Sequence, residues 1–441
     1  MINRIKHVVL SVTAAGVIYA LPALIETPIS NIAFAESSAE VSKKRVSKKV
    51  PAMRNRVYSQ LARAQKLSDE GDKIGGFDVL DEVKDRISQL NSYEQAMLYN
   101  FYGFMYYAND DLDNAIDSFQ RVIALEAIPE SLYLSTTYSL AQLAMQQQDF
   151  QKALSFLNQW QAANPKELNA SQHIVFAQVY YQDKNFKETL THVIAAIENQ
   201  KLAGGTAKEQ WLILQRAAYY ELKQPKEVTK VLEQLVKYYE KPAYWLQLAA
   251  MYGEIGKEAK QLGAMETAWQ AGYITKETDM MLLAQLYMFN DLPYKAAALL
   301  DDAMGKGIVV PNEKRLELMS QAYILAKEDQ KAIPVLAKAA EIADTGKFDA
   351  KLAQSYLNLE QWQMAITSAK KAITRGGLEN VGNMYLVLGM SHFNLQKFDD
   401  SLIAFNHAKG VPATEKTAKQ WTAYVSKEQR YQEQLELIIK E

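Results

Sequence analysis

The sequence contains no cysteine, and this absence removes several chemistries at once. Disulfides, thiolate nucleophiles and Cys-ligated metal sites are all excluded. A chain without thiols also suits export, because no wrong disulfide can form in an oxidising compartment. Proline and glycine are scarce, at 11 and 19 of 441 residues, so long helices can run without interruption. The formal net charge is only −2, so the overall charge does not predict binding to nucleic acid or to a membrane surface.

The first 35 residues have the three-part pattern of a secretory signal peptide. A basic start precedes an apolar run over residues 8–24, and Ala33-Phe34-Ala35 is an A-x-A cleavage site. We therefore predict cleavage after Ala35 and a periplasmic location. An uncleaved membrane anchor is the alternative, because an apolar run of about 17 residues is at the lower limit for spanning a bilayer. The sequence predicts no membrane span in the mature chain.

Residues 36–56 differ in composition from what precedes and follows them. Their basic residues are crowded into a short stretch, namely Lys43, Lys44, Arg45, Lys48, Lys49, Arg54 and Arg56. We interpret this stretch as a basic flexible linker. It could contact anionic lipid or an acidic partner, or it could simply be a solvated connection.

From residue 57 onward the chain repeats a pattern of two amphipathic helices. In its clearest unit, Ala284 and Tyr287 share one helical face, a polar turn follows, and Ala296 and Leu300 share the face of a second helix. The two alanines are small enough to let the helices approach closely. A small or short residue begins the apolar face of the second helix in seven units, at Ala115, Ala153, Thr189, Ala296, Ala332, Ala365 and Ser401. Neighbouring members are 38, 36, 36, 33 and 36 residues apart.

This pattern resembles the tetratricopeptide repeat family, whose period is 34 residues. The resemblance covers residues 57–412. It implies an all-α, right-handed α-solenoid of about nine helix-turn-helix repeats, in which stacking buries a continuous apolar core. Residues 413–441 have an apolar stripe at helical spacing and are the predicted C-terminal capping helix.

The repeat signature weakens in one region of the chain. Arg216 stands where a small residue belongs, and residues 242–273 have a strong first helix but an indistinct second one. We expect distorted stacking near residues 200–275. The glycine-containing linker near residues 200–207 is a candidate boundary between two sub-arrays.

Members of this family line a concave groove with the first helix of each unit, and the residue after the small packing residue faces that groove. Five such positions are glutamines: Gln142, Gln178, Gln285, Gln321 and Gln354. A primary amide has two donors and an acceptor, so these side chains could pair with the main chain of an extended peptide. Nearby apolar residues complete the predicted partner-binding groove: Met281, Met288, Ile324, Leu357 and Met390. The alternative is that these positions are merely half exposed and have no binding role.

The sequence gives little support for catalysis, and we predict no enzyme activity, metal or cofactor. His173, His392 and His407 fall within the packing pattern, and His192 is predicted to be exposed. None has a metal-like partner four residues on. There is no glycine-rich phosphate loop and no nucleophile-elbow motif.

These features predict an exported scaffold that binds protein or peptide segments of envelope complexes. In its overall composition, its secretory start and its turn sequences, the chain is similar to periplasmic tetratricopeptide proteins that accompany TonB–ExbB–ExbD transport systems. That resemblance implies TonB, ExbD or an outer-membrane receptor as the partner. The small net charge predicts no nucleic acid partner. The alternatives are a coordinator of cell-wall synthesis or outer-membrane assembly, an envelope enzyme with a hidden site, and a structural spacer. Self-association into a homo-oligomer is also left open.

Overall fold

A computed structural model describes residues 49–164 and 166–440, with side chains up to residue 435. The predicted signal peptide, its cleavage site after Ala35 and most of the basic linker lie outside these residues. All regular structure in the described part is helical, and none of its helices is both long and apolar enough to cross a membrane. The chain divides into two compact units, of which the first ends at Ile255 and the second begins at Gly256.

The described residues of the first unit, from residue 49 onward, form eleven α-helices and a short 3-10 turn at Ile87–Gln89. The α-helices are α1 (Asn55–Asp69), α2 (Lys73–Lys84), α3 (Ser92–Tyr107), α4 (Leu112–Ala124), α5 (Glu130–Gln146), α6 (Phe150–Ala163), α7 (Ala170–Gln182), α8 (Phe186–Leu202), α9 (Glu209–Glu221), α10 (Pro225–Tyr239) and α11 (Pro242–Glu254).

The second unit contains ten α-helices. They are α12 (Glu258–Gln270), α13 (Glu277–Phe289), α14 (Pro293–Gly305), α15 (Glu313–Leu325), α16 (Asp329–Ile342), α17 (Lys347–Asn358), α18 (Trp362–Arg375), α19 (Gly382–Asn394), α20 (Phe398–Lys409) and α21 (Glu415–Lys440).

Helical hairpins are the repeating element of both units. Helices α1 to α10 form five hairpins in the first unit, and α13 to α20 form four in the second. Within each unit, the second helix of a hairpin also packs against the first helix of the next. This is an α-solenoid, and its nine complete hairpins match the predicted number.

The boundary between the units falls inside the region 200–275, where the repeat signature is weakest. It does not coincide with the linker near residues 200–207, where we placed a candidate boundary. Helix α8 packs against α9 across that linker, and Tyr239 Oη donates a hydrogen bond of 2.6 Å to the carbonyl of Ala207. These contacts keep the two sides of the linker within one unit.

The polar turns inside the hairpins share one backbone conformation. Eight of them contain a non-glycine residue with φ between 55° and 63°: Asp110, Gln148, Lys184, Lys223, Asp291, Lys327, Glu360 and Gln396. A left-handed residue ends the first helix, as at many helix C-termini. The next residue can then cap the second helix, as Asp149 does by accepting a hydrogen bond of 3.0 Å from the Lys152 backbone N–H. In the recurring turn, one residue therefore ends the first helix and the next residue caps the start of the second helix.

The small residues that directly precede the five predicted glutamines lie in the core. Ala141, Ala177, Ala284, Ser320 and Ala353 are all 0% exposed. Because the helices meet at these points, the residue that follows each of them lies at the edge of the contact. This fixes the direction of the predicted glutamines.

Candidate partner-binding groove

All ten predicted groove residues lie on the first helices of their hairpins. Gln142 and Gln178 lie on α5 and α7 of the first unit, and the other eight lie on α13, α15, α17 and α19 of the second. Successive first helices also contact each other directly, as α7 does with α9 and α17 with α19. Each unit therefore presents a surface made of consecutive first helices, which we call the first-helix face.

The glutamines of the second unit are accessible on this face. Gln285, Gln321 and Gln354 are exposed, whereas Gln142 and Gln178 in the first unit are half-buried. The side chains of Gln285 and Gln321 make no hydrogen bond within the described chain, and Gln354 Nε2 donates only to Asn358 Oδ1, at 3.0 Å. Their amide donors and acceptors are thus available to a partner.

Apolar side chains flank these amides. The predicted residues Met281, Met288, Ile324, Leu357 and Met390 are all half-buried, so each keeps part of its surface open. Two residues that the sequence analysis missed are more exposed, Phe289 at 38% and Leu325 at 55%. Phe289 follows Gln285, and Leu325 follows Gln321, by four residues, which is about one helical turn. This spacing could have identified them.

Ion pairs join the N-terminal parts of three successive first helices. Arg315 on α15 pairs with Glu277 on α13. Lys347 Nζ on α17 lies 2.6 Å from Glu313 Oε1, and Lys351 Nζ lies 3.1 Å from Glu317 Oε1. These three acids and three bases offset each other.

Glu317 shows how these pairs act on a carboxylate. Its partial burial works against ionisation, but hydrogen bonds from Lys351 and Lys347 prevail and hold the pKa of Glu317 below its usual value. The groups at this end of the face are thus already satisfied, while the amides nearer the C-terminal ends of the same helices are not. Available hydrogen-bonding capacity is concentrated at Gln285 and Gln321.

The first unit has a separate groove at its first hairpin. A cavity of about 850 Å³ lies between α1 and α3, and its lining includes Tyr58, Gln65, Met97 and Phe101. Tyr58 is 63% exposed, so an aromatic ring is available at the groove. Gln65 was not among the predicted residues, although it follows the buried Ala64 just as the predicted glutamines follow their small residues.

The prediction that His192 is exposed was wrong. His192 is half-buried, and its ring stacks on Phe176 with centroids 4.8 Å apart and planes 7° from parallel. Its Nδ1 lies 3.0 Å from Nδ1 of His173. Burial, together with the neighbouring imidazole, lowers the pKa of His192 to about 4, and burial also lowers the pKa of His173. The period-based prediction failed because it did not include the aromatic residues of α7 that cover α8.

The described residues contain no group of three or more His, Cys, Asp or Glu side chains placed to hold a metal ion. The first-helix faces offer amide groups beside apolar surface, a combination that suits contact with another protein.

No protein-family model matches the sequence. No curated protein matches it either. Among solved structures, the chain is similar to a tetratricopeptide repeat protein from Parabacteroides merdae, with 15% identity, 60% of this chain and 98% of the other covered, and a TM-score of 0.34. It is similar to YrrB, a TPR protein with an unusual peptide-binding site, with 11% identity, 43% of this chain and 95% of the other covered, and a TM-score of 0.34. It is also similar to the APC/C hetero-tetramer Cut9-Hcn1, at 10% identity, 84% coverage of both chains and a TM-score of 0.29.

Proposed function

We propose that this protein is an adaptor that binds extended segments of other proteins along its first-helix faces. The observation that supports this most is the pair of exposed glutamines, Gln285 and Gln321, which have no partner within the described chain. A peptide main chain carries a donor and an acceptor at nearly every residue, and a primary amide can pair with either. Recognition of this kind depends little on the partner's sequence.

The apolar neighbours would supply the rest of the binding energy. Phe289 and Leu325 lie one helical turn beyond the two glutamines, and both keep a large part of their surface in water. Covering such surface is favourable by about 25 cal/mol per Å². An adaptor that places amides beside aromatic, aliphatic and thioether groups can accept related but different segments.

We further propose that the adaptor works in the periplasm as an accessory component of a TonB-dependent transport system. This step is supported by the secretory pattern that ends at Ala35 and by the resemblance to tetratricopeptide proteins of TonB–ExbB–ExbD systems. The partner would then be a segment of TonB, ExbD or an outer-membrane receptor. N-terminal sequencing of the protein from a periplasmic fraction tests the location, and a chain that begins at Glu36 is the expected result.

Photo-crosslinking in living cells tests the adaptor function directly. A photoreactive residue at Gln285 should capture a partner that mass spectrometry identifies, whereas the same residue at Ala298, exposed on α14 of the same hairpin, should not. Capture of TonB, ExbD or an outer-membrane receptor supports the transport role. Capture of cell-wall or assembly factors supports the adaptor function but assigns it to another envelope complex. If neither position captures a partner, the adaptor function is contradicted and a structural spacer is favoured.

A further inference from the structure

Arg216 occupies a position on α9 that other first helices fill with a small residue. It lies twelve residues before the buried Val228 of α10, the same separation that joins Ala284 to Ala296 in the clearest hairpin. Ala284 is fully buried, but Arg216 is half-buried because its long side chain extends beyond the helix contact. The hairpin therefore carries a cation at a point where the repeat needs only a methyl group.

The surroundings of Arg216 come from α7 and α9, the first helices of two successive hairpins, and from α11, which follows the last hairpin of the first unit. Its Nη1 donates a hydrogen bond to Oε1 of Gln247 on α11. The phenol groups of Tyr181 on α7 and Tyr244 on α11 are close enough to influence its ionisation. Within the described chain, Tyr181 Oη makes no hydrogen bond, and Gln247 still has its amide donors because only its oxygen is used.

No carboxylate in the described chain forms an ion pair with Arg216. Glu209, which lies beside Tyr244, is already occupied: it is 2.6 Å from Lys241 Nζ and accepts a hydrogen bond of 2.5 Å from Tyr244 Oη. Glu221, at the end of α9, is exposed. Burial lowers the pKa of Arg216, as expected for a cation that has lost water without gaining an anion.

The other partly buried arginines of the array behave differently. Arg315 has 26% of its side chain exposed and pairs with Glu277, and Arg375 has 30% exposed and pairs with Asp349 at 2.7 Å. A desolvated charge without a counter-ion is costly to fold, so a cation kept in this state has a strong preference for an anion. Arg216 can therefore pair with a negative charge from outside the described chain.

We propose that Arg216 anchors a carboxylate-binding site, and that its ligand is an Asp or Glu side chain of a protein segment lying across α7, α9 and α11. The proposal rests on the proposed function, since such a segment would follow the first-helix face over α7 and α9 and extend to α11. A guanidinium matches the planar carboxylate with two parallel donors. Tyr181 Oη and the amide nitrogen of Gln247 are the neighbouring groups that can donate to the same carboxylate. One positive charge balances a monoanion but leaves a phosphate dianion in excess.

The stability of the unliganded protein gives the first test. Arg216→Met keeps the aliphatic bulk and removes the charge, so the variant should melt at or above the temperature of the unchanged protein. The matched control is Arg375→Met, which should melt at a lower temperature because it leaves Asp349, 5% exposed, without its partner. A comparable loss in both variants would show that Arg216 is an ordinary structural residue, and the proposal would be wrong.

Binding to paired peptides gives the second test. An array of extended peptides is made in two forms that differ only by Glu or Gln at one site, and the full mature chain is applied to it. The unchanged protein should prefer Glu forms by about tenfold, Arg216→Lys should keep part of this preference, and Arg216→Met should lose it.

The outcomes separate this proposal from the adaptor function. Binding that depends on Gln285 and Gln321 but shows no preference for Glu keeps the adaptor and overturns the carboxylate site. Binding of no peptide in either form contradicts both. A Glu preference that persists in Arg216→Met places the anion elsewhere and also overturns the assignment.

Discussion

Gly103 on α3 faces the ring of Phe119 on α4 so closely that an added Cβ would lie 2.6 Å from Cε1 of the ring. Gly389 and Phe405 repeat the relationship in the second unit, where a Cβ would again lie 2.6 Å from Cε1. In both pairs sixteen residues separate the glycine from the phenylalanine. The two helices of each hairpin thus meet where a glycine, which has no side chain, leaves space for a phenylalanine ring.

Replacing Gly103 by alanine should overpack this contact. We expect Gly103→Ala to lower the free energy of unfolding by about 1–3 kcal/mol, because a fully buried ring has no free space into which it can move. Phe119→Leu in the same chain should recover most of the loss, since Ala141 and Leu157 have the same separation in the third hairpin and are both fully buried in one apolar cluster. Urea denaturation of the single and double variants measures the coupling. Losses that simply add would show that the two residues are independent.

The hairpins could be predicted from the sequence because their signals are local. A small residue at each helix crossing and a polar turn recur in most units, and agreement among units outweighs the ambiguity of any single one. The fit between Gly103 and Phe119 could not be predicted in this way. It depends on which side chains meet after the hairpin closes, and a period of 34 residues contains no information about ring placement.

Arg54 and Glu94 join the start of the array to its second hairpin. Glu94 is 0% exposed, and it accepts hydrogen bonds of 2.8 Å and 2.7 Å from Nε and Nη2 of Arg54. Glu94 also completes a capping box with Asn91 at the start of α3. We expect Glu94→Gln to destabilise the first unit by about 2 kcal/mol, because a charge-assisted pair with a buried acceptor is lost. Hydrogen exchange of α1 and α3 amides should locate the loss in these helices.

The same pair predicts a pH dependence with a definite sign. Hydrogen bonds from Arg54 lower the pKa of Glu94 to about 2, below the value of about 4.3 expected in the unfolded chain. Its contribution to stability is therefore complete above about pH 4.3 and is lost as the pH falls toward 2. Denaturation midpoints measured between pH 5 and pH 2 should fall less steeply in Glu94→Gln than in the unchanged protein. Identical slopes would contradict the assignment.

The candidate site was only partly predictable, for physical reasons that differ between residues. Gln285 and Gln321 were found because their position follows from the helix contact beside them. Gln65 belongs to the same register, but the first repeat departs from the turn pattern that defines that register elsewhere. Arg216 was recognised as a departure, yet its lack of a counter-ion depends on where Glu209 and Lys241 meet, and no local pattern contains that information.

His192 should make the first unit sensitive to mild acid. Its folded pKa of about 4 lies below the ordinary value of 6.5, so the unfolded chain takes up a proton first as the pH falls. Stability should then decrease between about pH 6.5 and pH 4, by at most about 1.4 kcal/mol per pH unit for one proton. His192→Gln keeps a hydrogen-bonding group beside His173 and removes this titration. Unfolding free energies at pH 7, 5.5 and 4.5 should therefore vary less in the variant, and an unchanged slope would count against the neutral pair.

The exposed glutamines of the first-helix face give the most direct prediction about function. Changing Gln285, Gln321 and Gln354 together to alanine should weaken binding of the captured partner by about tenfold or more, because each lost amide removes hydrogen bonds worth about 0.5–1.5 kcal/mol. Helix content and melting temperature should be unchanged, since exposed helical positions tolerate alanine.

The same chain provides a matched control for this experiment. Gln270, Gln330 and Gln363 are also exposed glutamines of the second unit, but Gln270 lies on α12 and the other two lie on the second helices α16 and α18. Their triple alanine variant removes the same number of amides from a different surface. If both triple variants bind the partner as tightly as the unchanged protein, the first-helix face does not recognise the peptide main chain. If both weaken binding equally, the effect comes from the overall loss of polar surface, because a specific groove would distinguish the two sets of glutamines.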